Sequence, residues 1–263
     1  MSPEGERPLL TAEALLRYLK PKQLPLNPES GLPQLPPKAL LSFSPSLVKQ
    51  IKGQLKEQLS FAEPLPFLGV QLHQISPEWM VVSGLGLGAP AAVARLEELR
   101  SCGVKEFIFL GSAGSLKKDL GPGQVLVCTK AIADEGTSQH YLLEQQEQQG
   151  QQHYSAHGEL GHWLEQVLLK NSIDFVQGVS WTTDAPYRET QSKVDDFVKR
   201  GACVVDMEAS ALFAVGAFYG LKVAGVFVVS DQLTEGQWRP HFREARVKDP
   251  LIKVARAILE AGA

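Results

Sequence analysis

The chain has 263 residues, of which 44% are hydrophobic and 21% are charged. This ordinary globular composition excludes an intrinsically disordered chain, which would bury too little apolar surface to offset its ordering entropy. Lys and Arg total 26 against 29 Asp and Glu, a net charge of −3, and the lack of a basic excess argues against a nucleic-acid partner.

The N-terminal end is unusually rich in proline, because nine of the 17 prolines fall within the first 45 residues. A short helix over residues 11–20, capped by Thr11, precedes a proline-rich run over residues 21–37 that cannot be a helix interior or a central strand. We therefore expect an N-terminal arm over residues 1–37, either extended over the body or a neighbouring subunit or else disordered. A single α/β domain is expected over residues 38–263.

Apolar periodicity predicts a helix opened by Pro45 and running to Gln58, and strands alternate with helices from Phe67 onwards. The predicted strands cover residues 80–83, 106–110, 124–131, 176–183, 202–205 and 223–230. The predicted helices cover residues 90–100, 158–170, 189–200, 208–219 and 249–261, the last with Asp249 as N-cap and Pro250 in its first turn. This alternation predicts an α/β fold of three layers, with a central mixed sheet flanked by helices.

Localisation and redox state follow from what the sequence lacks. The N-terminus has no apolar signal-peptide core, and the apolar stretch 209–229 is interrupted by Lys222, which favours a helix and a strand over a membrane span. Cys102, Cys128 and Cys203 have neither disulfide nor metal-ligand spacing and are expected to be buried thiols. We expect a cytoplasmic protein with no membrane partner and no metal.

Small and polar residues follow several predicted strands, where ligands of α/β sheets gather. Gly84, Gly86 and Gly88 form a turn that is either purely structural or a loop whose N–H groups approach a ligand, and their spacing differs from a dinucleotide fingerprint. Ser112 places a hydroxyl in a second glycine-rich turn.

Two carboxylates also follow strands. Asp231 ends an apolar strand, where a partly desolvated carboxyl suits general-acid work, although a turn or N-cap aspartate is an equal alternative. Glu208 opens a helix, whose dipole favours an ionised carboxylate that can accept hydrogen bonds from a ligand. The alternative is that Glu208 is an ordinary acid in the first turn of a helix and has no functional role.

Five segments in register resemble the nucleoside phosphorylase family, which includes uridine phosphorylases, purine nucleoside phosphorylases and methylthioadenosine nucleosidases. The similarity covers roughly residues 38–260. The segments are Leu110-Gly-Ser-Ala-Gly114, Gly121-Pro-Gly-Gln-Val125, Asp134-Glu-Gly-Thr-Ser-Gln-His-Tyr141, Trp181-Thr-Thr-Asp-Ala-Pro-Tyr-Arg-Glu-Thr190, and Val205-Asp-Met-Glu-Ala-Ser210 with Val228-Val-Ser-Asp231.

The resemblance implies cleavage of the N-glycosidic bond of a nucleoside by a homo-oligomer (dimer, trimer or hexamer) that needs no cofactor. Asp231 would protonate or hydrogen-bond the base, which favours a purine, whereas the 134–141 segment is more similar to uridine phosphorylases. The remaining implied roles are ribose binding by Met207 and Glu208, phosphate or nucleophile binding by Gly86 and Ser112, and base binding by Ala113, Gly114, Tyr187 and Arg188.

Three arginines of phosphorolytic relatives have no counterpart here. Phe109 stands at one position, the stretch 43–47 replaces a second element, and no Arg or Lys lies between Phe61 and Arg95. Phosphorolysis by phosphate is the leading hypothesis, and hydrolysis and non-catalytic nucleoside binding are the alternatives. Nucleosidases of the family use an N-terminal glutamate to activate water, for which Glu57 and Glu63 are positional candidates.

The segment 238–243 is a further candidate element. Its mixture of aromatic and cationic residues predicts either a lid that supplies a cation through Arg239 or Arg243, or a surface turn anchored by Trp238. His140 or Tyr141 would either face a neighbouring subunit or form a buried structural pair.

Overall fold

The structure is a computed structural model that describes residues 8–20, 24–44, 47–55, 65–67, 69–142 and 153–262. Within these ranges the α-helices are α1 Ala12–Leu19, α2 Leu47–Leu55, α3 Ala89–Ser101, α4 Gly158–Lys170, α5 Gln191–Lys199, α6 Ala209–Tyr219 and α7 Ala245–Gly262. The strands are β1 Lys38–Ser42, β2 Leu65–Phe67, β3 Val70–Gln74, β4 Trp79–Ser83, β5 Glu106–Ser115, β6 Val125–Asp134, β7 His153–Ser155, β8 Phe175–Thr183, β9 Ala202–Asp206, β10 Lys222–Thr234 and β11 Gln237–Pro240.

All these strands belong to one mixed sheet, in the order β11-β10-β6-β8-β9-β5-β1-β4-β3-β2, with β7 paired to β6. The long strand β10 also runs parallel to β5, so β5, β10, β6, β8 and β9 close into a ring. The predicted class, a mixed sheet flanked by helices, is confirmed, and the closed ring brings the ends of three predicted site strands (β5, β9 and β10) together.

Two large apolar cores lie on the two faces of the sheet. Helices α1, α3 and α6 contribute to one core, and helices α2, α4 and α7 contribute to the other. Helix α6 is apolar on all sides and almost wholly buried. Its burial in the core explains why its sequence is as apolar as that of a membrane span. No helix in the described ranges is both long and apolar enough to cross a membrane.

The described part of residues 8–37 packs onto the first core. Thr11 Oγ1 accepts a 3.1 Å hydrogen bond from the N–H of Ala14, so the predicted cap of α1 is present. The side chains of Leu16, Leu32 and Leu35 are buried in the same cluster as α3 and α6. Leu32 and Leu35 pack residues of the proline-rich segment against the body.

Helix α7 begins earlier than predicted, and Asp249 is not its N-cap. Pro250 lies inside the helix and has no N–H to offer the carbonyl of Arg246 four residues before it. That carbonyl abuts Gly123, where an added Cβ would lie 2.2 Å from the oxygen, and Gly123 has a φ of 90° that favours glycine. The Arg246 carbonyl, which receives no hydrogen bond from Pro250, therefore lies against the Gly123 turn.

Further differences concern short strands and partial burial. Sequence periodicity missed five strands (β1, β2, β3, β7 and β11), which have only three to five residues described as extended. Cys102 and Cys128 are buried as expected, but the prediction is wrong for Cys203, which is only partly buried because β9 turns it away from the face that buries Ala202 and Val204. In the predicted helix 45–58, Pro45 and residues 56–58 lie outside the described residues, as do Glu57 and Glu63.

Candidate active site

One cavity of about 600 Å³ gathers most of the predicted site residues. It lies where β5, β9 and β10 approach one another. The lining includes eight of the nine predicted residues: Gly86, Ser112, Ala113, Gly114, Tyr187, Met207, Glu208 and Asp231. The ninth, Arg188, is exposed in a 3₁₀ turn over Pro186–Arg188 and is not among the lining residues.

Glu208 is held by the glycine-rich turn after β4. Gly84, Gly86 and Gly88 all have φ between 79° and 89°, a conformation that glycine adopts without steric cost. The turn directs the N–H of Gly88 at Glu208 Oε1, at 2.7 Å. The N–H of Gly88 thus binds a carboxylate of the same chain.

Asp206 fixes the backbone that carries Met207 and Glu208. Its Oδ2 accepts hydrogen bonds from the N–H groups of Glu208 (2.7 Å) and Ala209 (2.6 Å), which caps helix α6. Its Oδ1 accepts from the hydroxyls of Ser180 (2.6 Å) and Thr182 (2.8 Å) on β8. Four donors from two elements therefore lock the start of α6 against the sheet.

The environment of Glu208 makes its negative charge costly. Burial, followed by the nearby charge of Asp206, raises the pKa of Glu208 to about 7. The side chain is consequently poised between neutral and ionised forms near neutral pH. In its ionised form it is a strong acceptor for hydroxyl groups that enter the cavity.

Asp231 is buried and held by two side-chain donors. The Ser230 hydroxyl donates to Oδ1 at 2.7 Å, and the Trp238 indole Nε1–H donates to Oδ2 at 2.8 Å. Gly114 makes room for this carboxylate, because a Cβ there would lie 3.1 Å from Asp231 Oδ2 and 2.6 Å from Leu233 Cδ1. Residues 111–114, which the sequence predicts as a turn, instead continue strand β5, because they pair with β10. This part of β5 is shaped around the Asp231 side chain.

Sequence reasoning missed Glu189 as a site residue, because it assigned that position to the first turn of a helix. Helix α5 instead begins at Gln191, and Glu189 lies in the loop that lines the cavity. Burial, with the charge of Asp231 as the second cause, raises the pKa of Glu189 to about 7. Glu189 could have been found from its position two residues after Tyr187, in a segment that the sequence already identifies as part of the site.

The cavity lining contains no Lys, Arg or His among the described residues. Phe109, at one expected arginine position, is buried, and its ring centroid lies 5.4 Å from that of Phe213 and 5.6 Å from that of Phe227. Phe43, from the second altered element, lines the cavity beside Gly111. Aromatic side chains thus surround the part of β5 that carries Ser112.

The segment 238–243 covers part of the cavity. Trp238 on β11 and Phe242 both line it, whereas neither Arg239 nor Arg243 does. Arg239 Nη2 instead lies 3.1 Å from Glu235 Oε2. The segment therefore forms an aromatic cover, and no cation reaches the cavity from it.

Residues of the 134–141 segment lie outside the cavity. Tyr141 donates a 2.6 Å hydrogen bond to Glu97 Oε1 on α3 and packs edge-on against Phe218, so its contacts are structural. His140 is exposed. Asp134 pairs with Lys193 at 2.7 Å in a second, more open depression of about 680 Å³. That depression contains none of the predicted site residues, so we do not assign the chemistry to it. No set of three or more His, Cys, Asp or Glu residues in the described ranges is placed to hold a metal ion.

The chain is similar in sequence to known proteins. Residues 37–260 match the family model of the phosphorylase superfamily. The chain is 31% identical over 157 residues to guanosine phosphorylase of Halorubrum lacusprofundi, covering 60% of this chain and 63% of that protein. It is 27% identical over 220 residues to purine nucleoside phosphorylase of Plasmodium falciparum, covering 82% of each chain.

Solved structures show the same fold. Purine nucleoside phosphorylase from Toxoplasma gondii in complex with immucillin-H superposes with a TM-score of 0.73 at 21% identity, covering 87% of this chain and 92% of that one. Uridine phosphorylase from Vibrio fischeri ES114 superposes with a TM-score of 0.70 at 23% identity, with the same coverage. With a family match over most of its length and a shared fold, the chain belongs to the phosphorylase superfamily.

Proposed function

We propose that this protein cleaves the N-glycosidic bond of a purine nucleoside, with phosphate as the acceptor. The observation that carries the proposal is that Glu208 and Asp231 line one cavity, large enough for a nucleoside, in a chain of this superfamily. Curated relatives named guanosine phosphorylase and purine nucleoside phosphorylase support the substrate class.

The ribose would bind at the start of α6. Ionised Glu208 accepts hydrogen bonds from the 2′- and 3′-hydroxyls, and Met207 packs on the sugar. As the glycosidic bond breaks, positive charge develops on the ribose ring, and the nearby carboxylate stabilises it more than it stabilises the neutral ground state.

The base would lie against the C-terminal part of β5. Ala113 and Gly114 form its floor, and Tyr187 and Arg188 approach from the loop that also carries Glu189. Asp231 faces the base and hydrogen-bonds or protonates it as it leaves, because a departing purine accumulates negative charge on its nitrogens.

The acceptor would occupy the space next to Gly86 and Ser112. The Ser112 hydroxyl and the backbone of the glycine-rich turn offer neutral hydrogen bonds to a phosphate. The names of the curated relatives support phosphate as the acceptor.

Hydrolysis is the second candidate, and one observation favours it. The described cavity lining has no cation, and Phe43 and Phe227 flank Gly111 next to Ser112. Moving a phosphate with nearly two charges into such a site without a cation is costly, whereas water carries no charge. A non-catalytic nucleoside-binding protein is the third outcome to be tested.

The test is a panel of purine nucleosides and uridine, incubated with and without phosphate, with free base and pentose products quantified. Phosphorolysis predicts free base and pentose 1-phosphate only when phosphate is present. Hydrolysis predicts free base and free pentose in both arms. Binding without release of base would overturn the enzymatic proposal, and release from uridine alone would overturn the purine assignment.

The setting of the chain is proposed in the same way. We propose an N-terminal arm over residues 1–37 and a catalytic domain over 38–263, a division supported by the family match that starts at residue 37. We also propose a cytoplasmic homo-oligomer (dimer, trimer or hexamer) that uses no metal or organic cofactor.

A further inference from the structure

Helix α6 follows directly after Glu208, and it has few polar groups of its own to fix its orientation. Its sequence is apolar on every side, and the only polar side-chain groups in it are the hydroxyls of Ser210 and Tyr219. The hydrophobic effect is not directional, so hydrogen bonds supply the directional contacts that fix the rotation of such a helix. These two hydroxyls are therefore the side-chain groups that define how α6 is oriented in the core.

Ser210 lies in the first turn of α6, two residues after Glu208, and is held from two directions. Its backbone N–H donates a 3.0 Å hydrogen bond to Thr182 Oγ1 on β8. Its hydroxyl donates a 2.9 Å hydrogen bond to Glu135 Oε1 in the segment after β6. Ser210 is fully buried, so water cannot replace a partner that is lost. The two contacts therefore fix the turn that carries the Glu208 side chain.

Glu135 is itself held firmly in the 134–141 segment. Its Oε2 accepts hydrogen bonds from the backbone N–H groups of Thr137 (2.5 Å) and Ser138 (3.1 Å), and the Ser138 hydroxyl donates to Oε1. Among the described residues that line the cavity there is neither Glu135 nor Ser210. Any effect of Glu135 on a bound nucleoside must therefore pass through α6.

We propose that Glu135 is a positioning residue for ribose recognition: through Ser210 it fixes the first turn of α6, and with it the place of the Glu208 carboxylate. The inference rests on the proposed function, in which Glu208 accepts hydrogen bonds from the ribose hydroxyls. A displacement of Glu208 weakens two such hydrogen bonds in a ribonucleoside but only one in a 2′-deoxynucleoside. Selectivity for the 2′-hydroxyl therefore reports the position of Glu208.

The test measures kcat/KM for guanosine and for 2′-deoxyguanosine in phosphate buffer, and takes the ratio of the first to the second. We expect Ser210→Ala to lower this ratio at least about fivefold, because the first turn loses a hydrogen bond to a charged group. Glu135→Gln should lower the ratio in the same direction, since a neutral amide is a weaker acceptor than a carboxylate. The double variant should lower it no further than Ser210→Ala, because both changes act through one hydrogen bond.

Tyr219→Phe is the matched control. The Tyr219 hydroxyl also donates to a carboxylate, Glu97 Oε2 at 3.0 Å, but it does so at the opposite end of α6 from Glu208. Its removal should lower the melting temperature as Ser210→Ala does, and should leave the ratio within about twofold of wild type. The control thus separates a loss of stability from a displacement of Glu208.

Three results with the variants would each overturn the positioning role: equal losses on both nucleosides with Ser210→Ala, an unchanged ratio with Glu135→Gln, or the same fall in the ratio with Tyr219→Phe. Glu135→Gln changes a partly exposed side chain, so it decides the question even if Ser210→Ala fails to fold. A wild type that cleaves the two nucleosides equally well would also overturn it, because Glu208 would then not recognise the 2′-hydroxyl. If wild type cleaves neither nucleoside, the proposed function fails, and this inference fails with it.

Discussion

The indole Nε1–H of Trp238 donates a 2.8 Å hydrogen bond to Oδ2 of Asp231, linking the aromatic cover of the cavity to the acid at its base-binding end. The two residues are brought together by the antiparallel pairing of β10 and β11, in which Asp231 faces Pro240 and Leu233 faces Trp238. The short hairpin therefore positions a carboxylate as well as closing one side of the cavity.

Replacing Trp238 by Phe should keep the aromatic surface and remove the donor. A hydrogen bond to a charged group contributes about 1.5 to 3 kcal/mol, so we expect kcat/KM for a purine nucleoside to fall at least about tenfold. Phe242→Leu, which changes the other aromatic side chain of the cover, is the comparison. If Trp238→Phe is as active as wild type, the hydrogen bond does not position Asp231 for the reaction.

Asp231→Asn should keep hydrogen-bonding capacity at the same place and remove the charge. We expect kcat for guanosine to fall by about two to three orders of magnitude, which is the usual contribution of an acid–base pair. Steady-state rates of base release measure this directly. An unchanged rate on a purine nucleoside would show that Asp231 takes no part in the departure of the base.

The activity should depend on pH through the carboxyl group of Glu208. Glu208 must be ionised to accept the ribose hydroxyls, and its pKa is about 7, so kcat/KM rises as pH increases through that value. Steady-state kcat/KM for a purine nucleoside, measured from pH 5 to 9, checks this. A profile without a rising limb near pH 7 would contradict the role of ionised Glu208.

The same pKa of Glu208 has a consequence for stability. Because the folded state raises the pKa from 4.5 to about 7, it binds the proton more tightly than the unfolded state, and the free energy of unfolding falls as pH rises between those values. Glu208→Gln removes the charge and should stabilise the protein by up to about 3 kcal/mol at pH 8, while abolishing activity.

Urea unfolding of wild type and Glu208→Gln at pH 8 and pH 4 measures this effect. Little difference is expected at pH 4, where Glu208 is protonated in both states. A variant that is less stable than wild type at pH 8 would show that burial of this charge costs less than its hydrogen bond to Gly88 contributes.

Phe109 tests whether the missing arginine can simply be restored. Its ring lies against Phe213 and Phe227, and a Cβ on Gly225 would lie 1.9 Å from it, so a guanidinium there would be buried among aromatic rings. Phe109→Arg should cost several kcal/mol of unfolding free energy and give no gain in phosphate-dependent activity. Phe109→Leu, which keeps the site apolar, should cost less than half as much. A stable Phe109→Arg variant with faster phosphorolysis would contradict this account of the core.

Much of the fold could be predicted because strand and helix periods are clear wherever one face is buried. Helix α4 has the predicted bounds, and Glu208 and Asp231 could be found because each comes soon after an apolar run of a strand, although β10 continues past Asp231. Short edge strands such as β7 and β11 could not, since three or four residues carry too little periodicity. Glu189 was missed because its place in the cavity depends on where the loop ends and helix α5 begins. The contact of Trp238 with Asp231 was missed because it depends on the register of the β10–β11 hairpin.

The most direct test of the central claim is the release of free purine from guanosine and inosine, in phosphate buffer at pH 7, by wild type and by Glu208→Gln. The account predicts that wild type releases the base with turnover and that Glu208→Gln is at least about 100-fold slower. The account would be contradicted if wild type released the base no faster than Glu208→Gln for every purine nucleoside tried.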